Sequence, residues 1–156
     1  MEWLAAIERS GLATWVRESG SIWAYPTILT LHTLGLGVLV GANAALDLRL
    51  LGFGRRLPLA DLGGLFKGMW WGFTLNALTG TLLFAADATT KGVQKIFYVK
   101  LACIVLAVMT MVRLKSAVFG SGPDRATMTP QTTRLAVASL LLWTGAITAG
   151  RFMAYL

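Results

Sequence analysis

The chain has 156 residues, of which 56% are hydrophobic and only 13% are charged. A soluble domain carries about 25% charged residues, so this composition excludes an ordinary water-soluble fold and indicates that apolar surface is hidden in lipid. The formal net charge of +7 belongs to residues that flank apolar stretches. We therefore attribute it to membrane topology and not to nucleic-acid binding.

The first predicted element is an interfacial amphipathic helix within residues 1–20. Its apolar side chains can share one broad face while most charged residues lie elsewhere, as in helices that lie flat on a membrane. That face is formed by Trp3, Leu4, Ile7, Leu12, Trp15 and Val16. Gly20 and Ser21 then end the helix, and Pro26 suits the first turn of the next one.

Residues 21–156 are predicted to form one domain of four transmembrane helices, at about 22–46, 62–86, 96–115 and 135–155. Each stretch can cross roughly 30 Å of hydrocarbon. Within the first span, Gly37 and Gly41 form a GxxxG pair, which is typical of close helix contacts. The predicted fold class is all-α: a polytopic four-helix bundle with an interfacial helix at the N-terminus.

Basic residues are more frequent around the first and third loops than on the opposite side. By the positive-inside rule, these two loops face the cytoplasm and both termini lie outside. The inner set is Arg49, Arg55, Arg56, Lys67, Arg113, Lys115, Arg125 and Arg134, against Arg9, Arg17, Lys91, Lys95, Lys100 and Arg151 on the outer side.

His32 is the only histidine in the chain and lies in the middle of the first predicted span. An ionisable side chain at membrane depth is costly to bury and indicates function. Neutral imidazole is also a common ligand of haem iron. Counting depth along the second span puts Asn76 level with His32. A pocket bounded by these two residues, with Tyr25 and Gly35 on the His32 face, suits a flat aromatic macrocycle.

Two cations, Lys100 and Arg151, lie nearer the outer surface, roughly 7 Å below the membrane boundary. A haem bound by His32 and standing upright would point its propionates to that level, so both cations are candidate partners for the carboxylates. Because the chain has no second histidine, the iron would be five-coordinate or would take its sixth ligand from elsewhere.

Each of these residues also has a structural interpretation. His32 and Asn76 are both suited to hydrogen bonds that tie membrane helices together. Lys100 and Arg151 lie near helix ends, where long basic side chains reach the interface as anchors. The sequence leaves both interpretations open.

Several segments resemble the four-helix membrane proteins grouped with copper-resistance protein CopD and the HemJ-type protoporphyrinogen oxidases. The resemblance lies in LHTLGLGVLVGANAALDLRLLG, in TGTLLF and in FYVKLACIVLAVMTMVRLK. The ending WTGAITAGRFMAYL is similar to a group of small bacterial membrane proteins of the same kind. The resemblance implies a b-type haem near the histidine-bearing helix, often in an oligomer of a bacterial inner membrane. It implies His32 as the axial ligand, with Arg49 and Lys100 as the matching basic residues.

The sequence thus predicts an integral membrane protein that binds one haem b per chain through His32. Its role would be electron transfer, redox or gas sensing, or haem handling. One alternative is an oxidoreductase acting on a porphyrin or quinone, with His32, Arg49 and Lys100 around the substrate. Another is a structural or accessory subunit without haem. The expected partners are the lipid bilayer, further copies of the chain, and a redox partner or quinone.

Overall fold

The structure, a computed structural model, describes residues 2–120 and 128–155; Arg125 of the predicted third loop lies outside them. The described residues are helical and contain no strand. A 3-10 helix, Ala60–Gly64, precedes the fourth of seven described α-helices. In chain order these are α1 (Glu2–Glu8), α2 (Gly11–Glu18), α3 (Tyr25–Leu50), α4 (Leu65–Ala85), α5 (Ala88–Lys91), α6 (Lys95–Phe119) and α7 (Pro130–Phe152).

Three of the described helices are long and apolar enough to cross a membrane. Their mean hydropathies are 1.6 for α3, 2.0 for α6 and 1.4 for α7. Helix α4 has 21 residues but is not among them, because Asn76 and the tryptophans Trp70 and Trp71 make it less apolar. The all-helical expectation is confirmed, and the structure supports three candidate spans where the sequence predicts four.

Helices α3 and α4 pack closely because glycines remove the side chains between them. A methyl group at Gly72 would lie 2.8 Å from the carbonyl oxygen of Gly35 and 2.8 Å from the backbone nitrogen of Leu39. Small residues at such points let the backbones of membrane helices approach each other. The predicted GxxxG pair is not used here, since nothing lies within 4 Å of a methyl group at Gly37 or Gly41.

The apolar core, to which α3, α4, α6 and α7 all contribute, lies in the half of the bundle nearer the basic loops. Its buried members are Leu39, Leu46, Leu50, Phe66, Met69, Ala107, Met111, Leu114, Val118, Ala136 and Trp143. Phe66 of α4 and Phe119 of α6 meet edge to face, with ring centroids 5.7 Å apart. The core therefore joins the pair α3 and α4 to the pair α6 and α7 at the end where the basic loops lie.

The N-terminal segment forms two short helices where the sequence predicts one. Helix α2 starts anew because the hydroxyl of Ser10 accepts a hydrogen bond from the backbone nitrogen of Ala13, at 3.4 Å. The predicted apolar face is divided: Leu4 and Val16 are buried, while Trp3 and Trp15 remain exposed. Val16 joins a small cluster with side chains of α3 and α4, so the segment is fastened to the bundle.

A carboxylate makes the second attachment of this segment. Glu8 accepts hydrogen bonds from the backbone nitrogen of Thr89 at 2.8 Å and from its hydroxyl at 2.6 Å. Arg17 forms an ion pair with the same carboxylate at 2.8 Å. Because Thr89 lies in α5, Glu8 connects the N-terminal segment to the turn between α4 and α6.

Candidate functional site

The imidazole of His32 is held by α4 through its Nδ1 atom. Nδ1 lies 3.1 Å from the carbonyl oxygen of Asn76 and 3.0 Å from the hydroxyl oxygen of Thr79. The Thr79 hydroxyl donates its own proton to the carbonyl of Leu75 at 2.6 Å, so towards His32 it can only accept. Both neighbours of Nδ1 are therefore acceptors, and in the neutral ring Nδ1 carries the proton.

This tautomer leaves the lone pair of His32 on Nε2. Nε2 makes no hydrogen bond with the described residues. It is also not enclosed, since the enclosed polar atoms without a partner in the described part of the chain do not include it. The side chain itself is half-buried. A histidine that binds a metal through one nitrogen usually donates from the other to a carbonyl or carboxylate, which fixes the ring. His32 has that arrangement.

A second hydrogen bond joins α3 and α4 at this point, with its donor on α4 and its acceptor on α3. The side-chain nitrogen of Asn76 donates to the backbone carbonyl of His32 at 2.8 Å. A methyl group at Gly80 would lie 3.1 Å from Cε1 of His32, so this glycine gives the ring its space. Gly35 faces the backbone of α4, with a methyl group there 3.1 Å from the nitrogen of Asn76. Gly35 thus serves helix packing.

Lys100 lies near His32, and Arg151 lies further out. The half-buried Lys100 is close enough to His32 for its charge to act on the ring. Its aliphatic chain runs past Gly150 of α7, where a methyl group would lie 3.5 Å from Cε and 3.6 Å from Nζ. Arg151 is exposed, with its guanidinium 6.0 Å from the ring centroid of Tyr155. Tyr25 is exposed at the start of α3.

Arg49 lies at the opposite end of α3 from this site. It is roughly 25 Å from His32 along the helix axis, and it donates to the carbonyl of Leu57 at 2.8 Å and to that of Arg55 at 3.4 Å. Arg49 therefore binds the loop between α3 and α4. It is too far from His32 for these two residues and Lys100 to contact one substrate.

Two grooves on the chain also lie away from His32. One of about 520 Å³ is lined by Gly63, Phe66, Lys67, Trp70, Trp71, Thr74 and Lys115. The other, of about 400 Å³, is lined by Arg113, Ser116, Ala117, Gln131 and Leu135. Both are near the ends of the helices that carry the basic loops, and the lining residues of neither include His32.

The donor set around His32 limits the kind of metal centre that this chain can form by itself. The described residues contain no group of three or more histidine, cysteine, aspartate or glutamate side chains placed to hold a metal ion. Zinc and copper sites need several protein ligands. A haem brings four nitrogen ligands of its own, so a single imidazole is enough to hold its iron.

A second polar cluster, inside the bundle, was missed by the sequence analysis. Asn43 and Asp47 of α3 meet Ser139 of α7, and all three side chains have no exposed surface. The sequence did contain a signal for this cluster, namely an aspartate at the end of an apolar stretch predicted to be helical. The predicted span stops at about residue 46, just before Asp47, whereas α3 continues to Leu50.

No family model, curated protein or solved structure matches the chain. The resemblance to the CopD and HemJ-type proteins rests on the short motifs alone.

Proposed function

We propose that the chain is an inner-membrane protein of bacterial type that crosses the bilayer four times. Helix α4 supplies the fourth crossing because it runs antiparallel to α3 along most of its length. Their contacts extend from the pairing of His32 with Asn76 and Thr79 to the close approach of Gly35 and Gly72. Since α3 has the length and composition of a span, α4 lies at the same depth.

We further propose that His32 is the single axial ligand of a b-type haem. The observation that carries this proposal is the engaged Nδ1 and the free Nε2 described above. The backbone carbonyl of Asn76 orients the ring, and Gly80 gives it space. Lys100 is the nearest described cation that could neutralise a propionate, with Arg151 further out on α7. We expect one haem per chain.

A haem held in this way supplies one-electron chemistry and, with one position free, the binding of a diatomic gas. The role that follows is electron transfer, redox or gas sensing, or haem handling. The residues of this chain hold the ring of His32, fix its proton on Nδ1 and place a cation nearby. The open face of the site favours an oligomer in which a second copy covers the haem.

The haem proposal is tested by visible absorption of the detergent-purified full chain, expressed with ample haem. We expect a Soret band with about one haem per chain, and its loss in His32→Ala. Thr79→Ala is the matched control: it removes the hydroxyl contact with Nδ1 but leaves both Nε2 and the Asn76 carbonyl, so the band should persist. A folded, colourless wild type under these conditions would contradict the proposal.

A second candidate function is that of a structural membrane subunit in which His32 ties α3 to α4. The reciprocal bonds favour it, since Nδ1 donates to the Asn76 carbonyl while the Asn76 side chain donates to the His32 carbonyl. In that case His32→Ala and Thr79→Ala would both lower thermal stability, and neither the wild type nor the variants would absorb in the Soret region.

A further inference from the structure

The polar cluster of Asn43, Asp47 and Ser139 contains contacts that are unusually short for an amide donor. The side-chain nitrogen of Asn43 lies 2.6 Å from Oδ2 of Asp47 and 2.6 Å from the hydroxyl oxygen of Ser139. Ordinary N–H···O bonds span about 2.7–3.2 Å, whereas O–H···O bonds span about 2.5–3.0 Å. Asn43 is thus in close contact with both Asp47 and Ser139, and the three side chains form one enclosed polar cluster.

Asp47 has no cation to balance a charge among the described residues. It forms no ion pair there, and its neighbour in sequence, Arg49, is bound to the inner loop. The basic residues at the inner ends of the packed helices, Lys67 of α4, Arg113 and Lys115 of α6 and Arg134 of α7, are exposed. A fully enclosed carboxylate without a partner is strongly disfavoured, and such a group takes up a proton instead.

A proton on Asp47 has an acceptor in the cluster when the oxygen and nitrogen of the Asn43 amide are exchanged. The two atoms are assigned from the hydrogen-bond network. With oxygen in the central position, Asn43 accepts from a protonated Oδ2 of Asp47 and from the Ser139 hydroxyl. Ser139 also lies within hydrogen-bond reach of the Asp47 carboxyl, so its hydroxyl proton has an acceptor in either orientation of the amide. In both orientations the outer atom of the Asn43 amide and Oδ1 of Asp47 are enclosed without a partner among the described residues.

We infer that Asp47 is a proton-binding site inside the membrane, with Asn43 and Ser139 as its positioning residues. The carboxyl is neutral and donates to Asn43, which also accepts from Ser139. Helix α3 ends at Leu50, roughly 5 Å beyond Asp47, so the proton exchanges with the side that carries the basic loops. This site uses none of the residues of the His32 site, and its test does not depend on haem.

The test is infrared spectroscopy of the full chain, reconstituted in lipid, as a function of pH. We expect the C=O band of one protonated carboxyl group at neutral pH, its loss in Asp47→Asn, and a shifted band in Ser139→Ala. Asp61→Asn is the control, because Asp61 is exposed and its replacement should leave the band unchanged. Asp47→Asn keeps size and neutrality, so its melting temperature should stay close to that of the wild type.

The opposing hypothesis is a monovalent cation held by the enclosed oxygens. It predicts no protonated-carboxyl band and a melting temperature that rises when sodium chloride replaces choline chloride, with that rise lost in Asp47→Asn. Either of these results, or a band that persists in Asp47→Asn, overturns the proton site. If Asp47→Asn does not fold, the band shift in Ser139→Ala still decides the question.

Discussion

At the scale of single residues, His32 serves two purposes because its two ring nitrogens have different surroundings. Nδ1 is bound to α4, and the backbone carbonyl of Asn76 fixes the tautomer because it can only accept a hydrogen bond. The helix contact therefore does not compete with ligand binding at Nε2 but prepares it. A histidine that donated from both nitrogens would have no lone pair for a metal.

At Gly72, backbone atoms of the neighbouring helix α3 exclude any side chain. We expect Gly72→Ala to lower the free energy of unfolding by about 1–3 kcal/mol, the usual cost of forcing extra volume into a packed contact. The reason is the 2.8 Å approach to Gly35 and Leu39, whose backbones cannot move aside as a flexible side chain would. Denaturation of the detergent-purified protein measures this change.

Gly68→Ala is the matched control for Gly72→Ala on the same helix. Nothing lies within 4 Å of a methyl group at Gly68, so Gly68→Ala should leave stability unchanged or raise it by up to about 1 kcal/mol, because alanine favours a helix over glycine. Equal losses in the two variants would show that the contact of Gly72 with α3 does not determine the effect.

At the scale of elements, the attachment of α1 and α2 depends on Glu8 staying deprotonated. Hydrogen bonds from the Thr89 hydroxyl and backbone hold the pKa of Glu8 below its ordinary value. A carboxyl group whose pKa is lowered by folding stabilises the folded state above its ordinary pKa, and this contribution is lost as the pH falls through the lowered value. Acidification should therefore release the N-terminal segment from α5.

This release can be measured by amide hydrogen exchange of residues 2–18, corrected for the intrinsic pH dependence of exchange. We expect protection at neutral pH, loss of protection on acidification, and a pH-independent, weaker protection in Glu8→Gln. Glu2→Gln is the control, because Glu2 is exposed. Unchanged protection in Glu8→Gln would show that burial of Leu4 and Val16 alone holds the segment.

The sequence predicted the helices well because apolar length is a property of each segment alone. The second predicted span, 62–86, differs from Leu65–Ala85 by only a few residues. Depth counting also placed Asn76 beside His32. The helix ends were less predictable: the predicted first span stops at about residue 46, whereas α3 continues to Leu50 and includes Asp47, which lies in the cluster with Asn43 and Ser139. Partners on other helices, such as Ser139, depend on packing and have no local signal.

At the scale of the whole molecule, the distribution of charge predicts the orientation of the bundle. Because basic loops are retained on the cytoplasmic side, the loop that contains Leu57 should be inside and the turn that contains Thr90 outside. Replacing the single cysteine, Cys103, by alanine gives a background free of thiols. In intact cells, a membrane-impermeant maleimide should then label Thr90→Cys but not Leu57→Cys.

Both introduced cysteines should react once the cells are permeabilised, because Thr90 and Leu57 are exposed. Labelling of Leu57→Cys in intact cells, with Thr90→Cys protected, would reverse the orientation. Labelling of both from one side would instead mean that α4 does not cross the bilayer.

The modest hydropathy of α4 has a consequence for how the protein is made. A segment containing Asn76 and three threonines partitions poorly into lipid on its own, whereas α3 partitions well. The close fit of Gly72 against Gly35 means that α4 gains its stability from its neighbour. We therefore expect α3 and α4 to insert into the membrane together, as a helical hairpin. In a nascent chain that lacks α3, α4 should fail to insert into the bilayer.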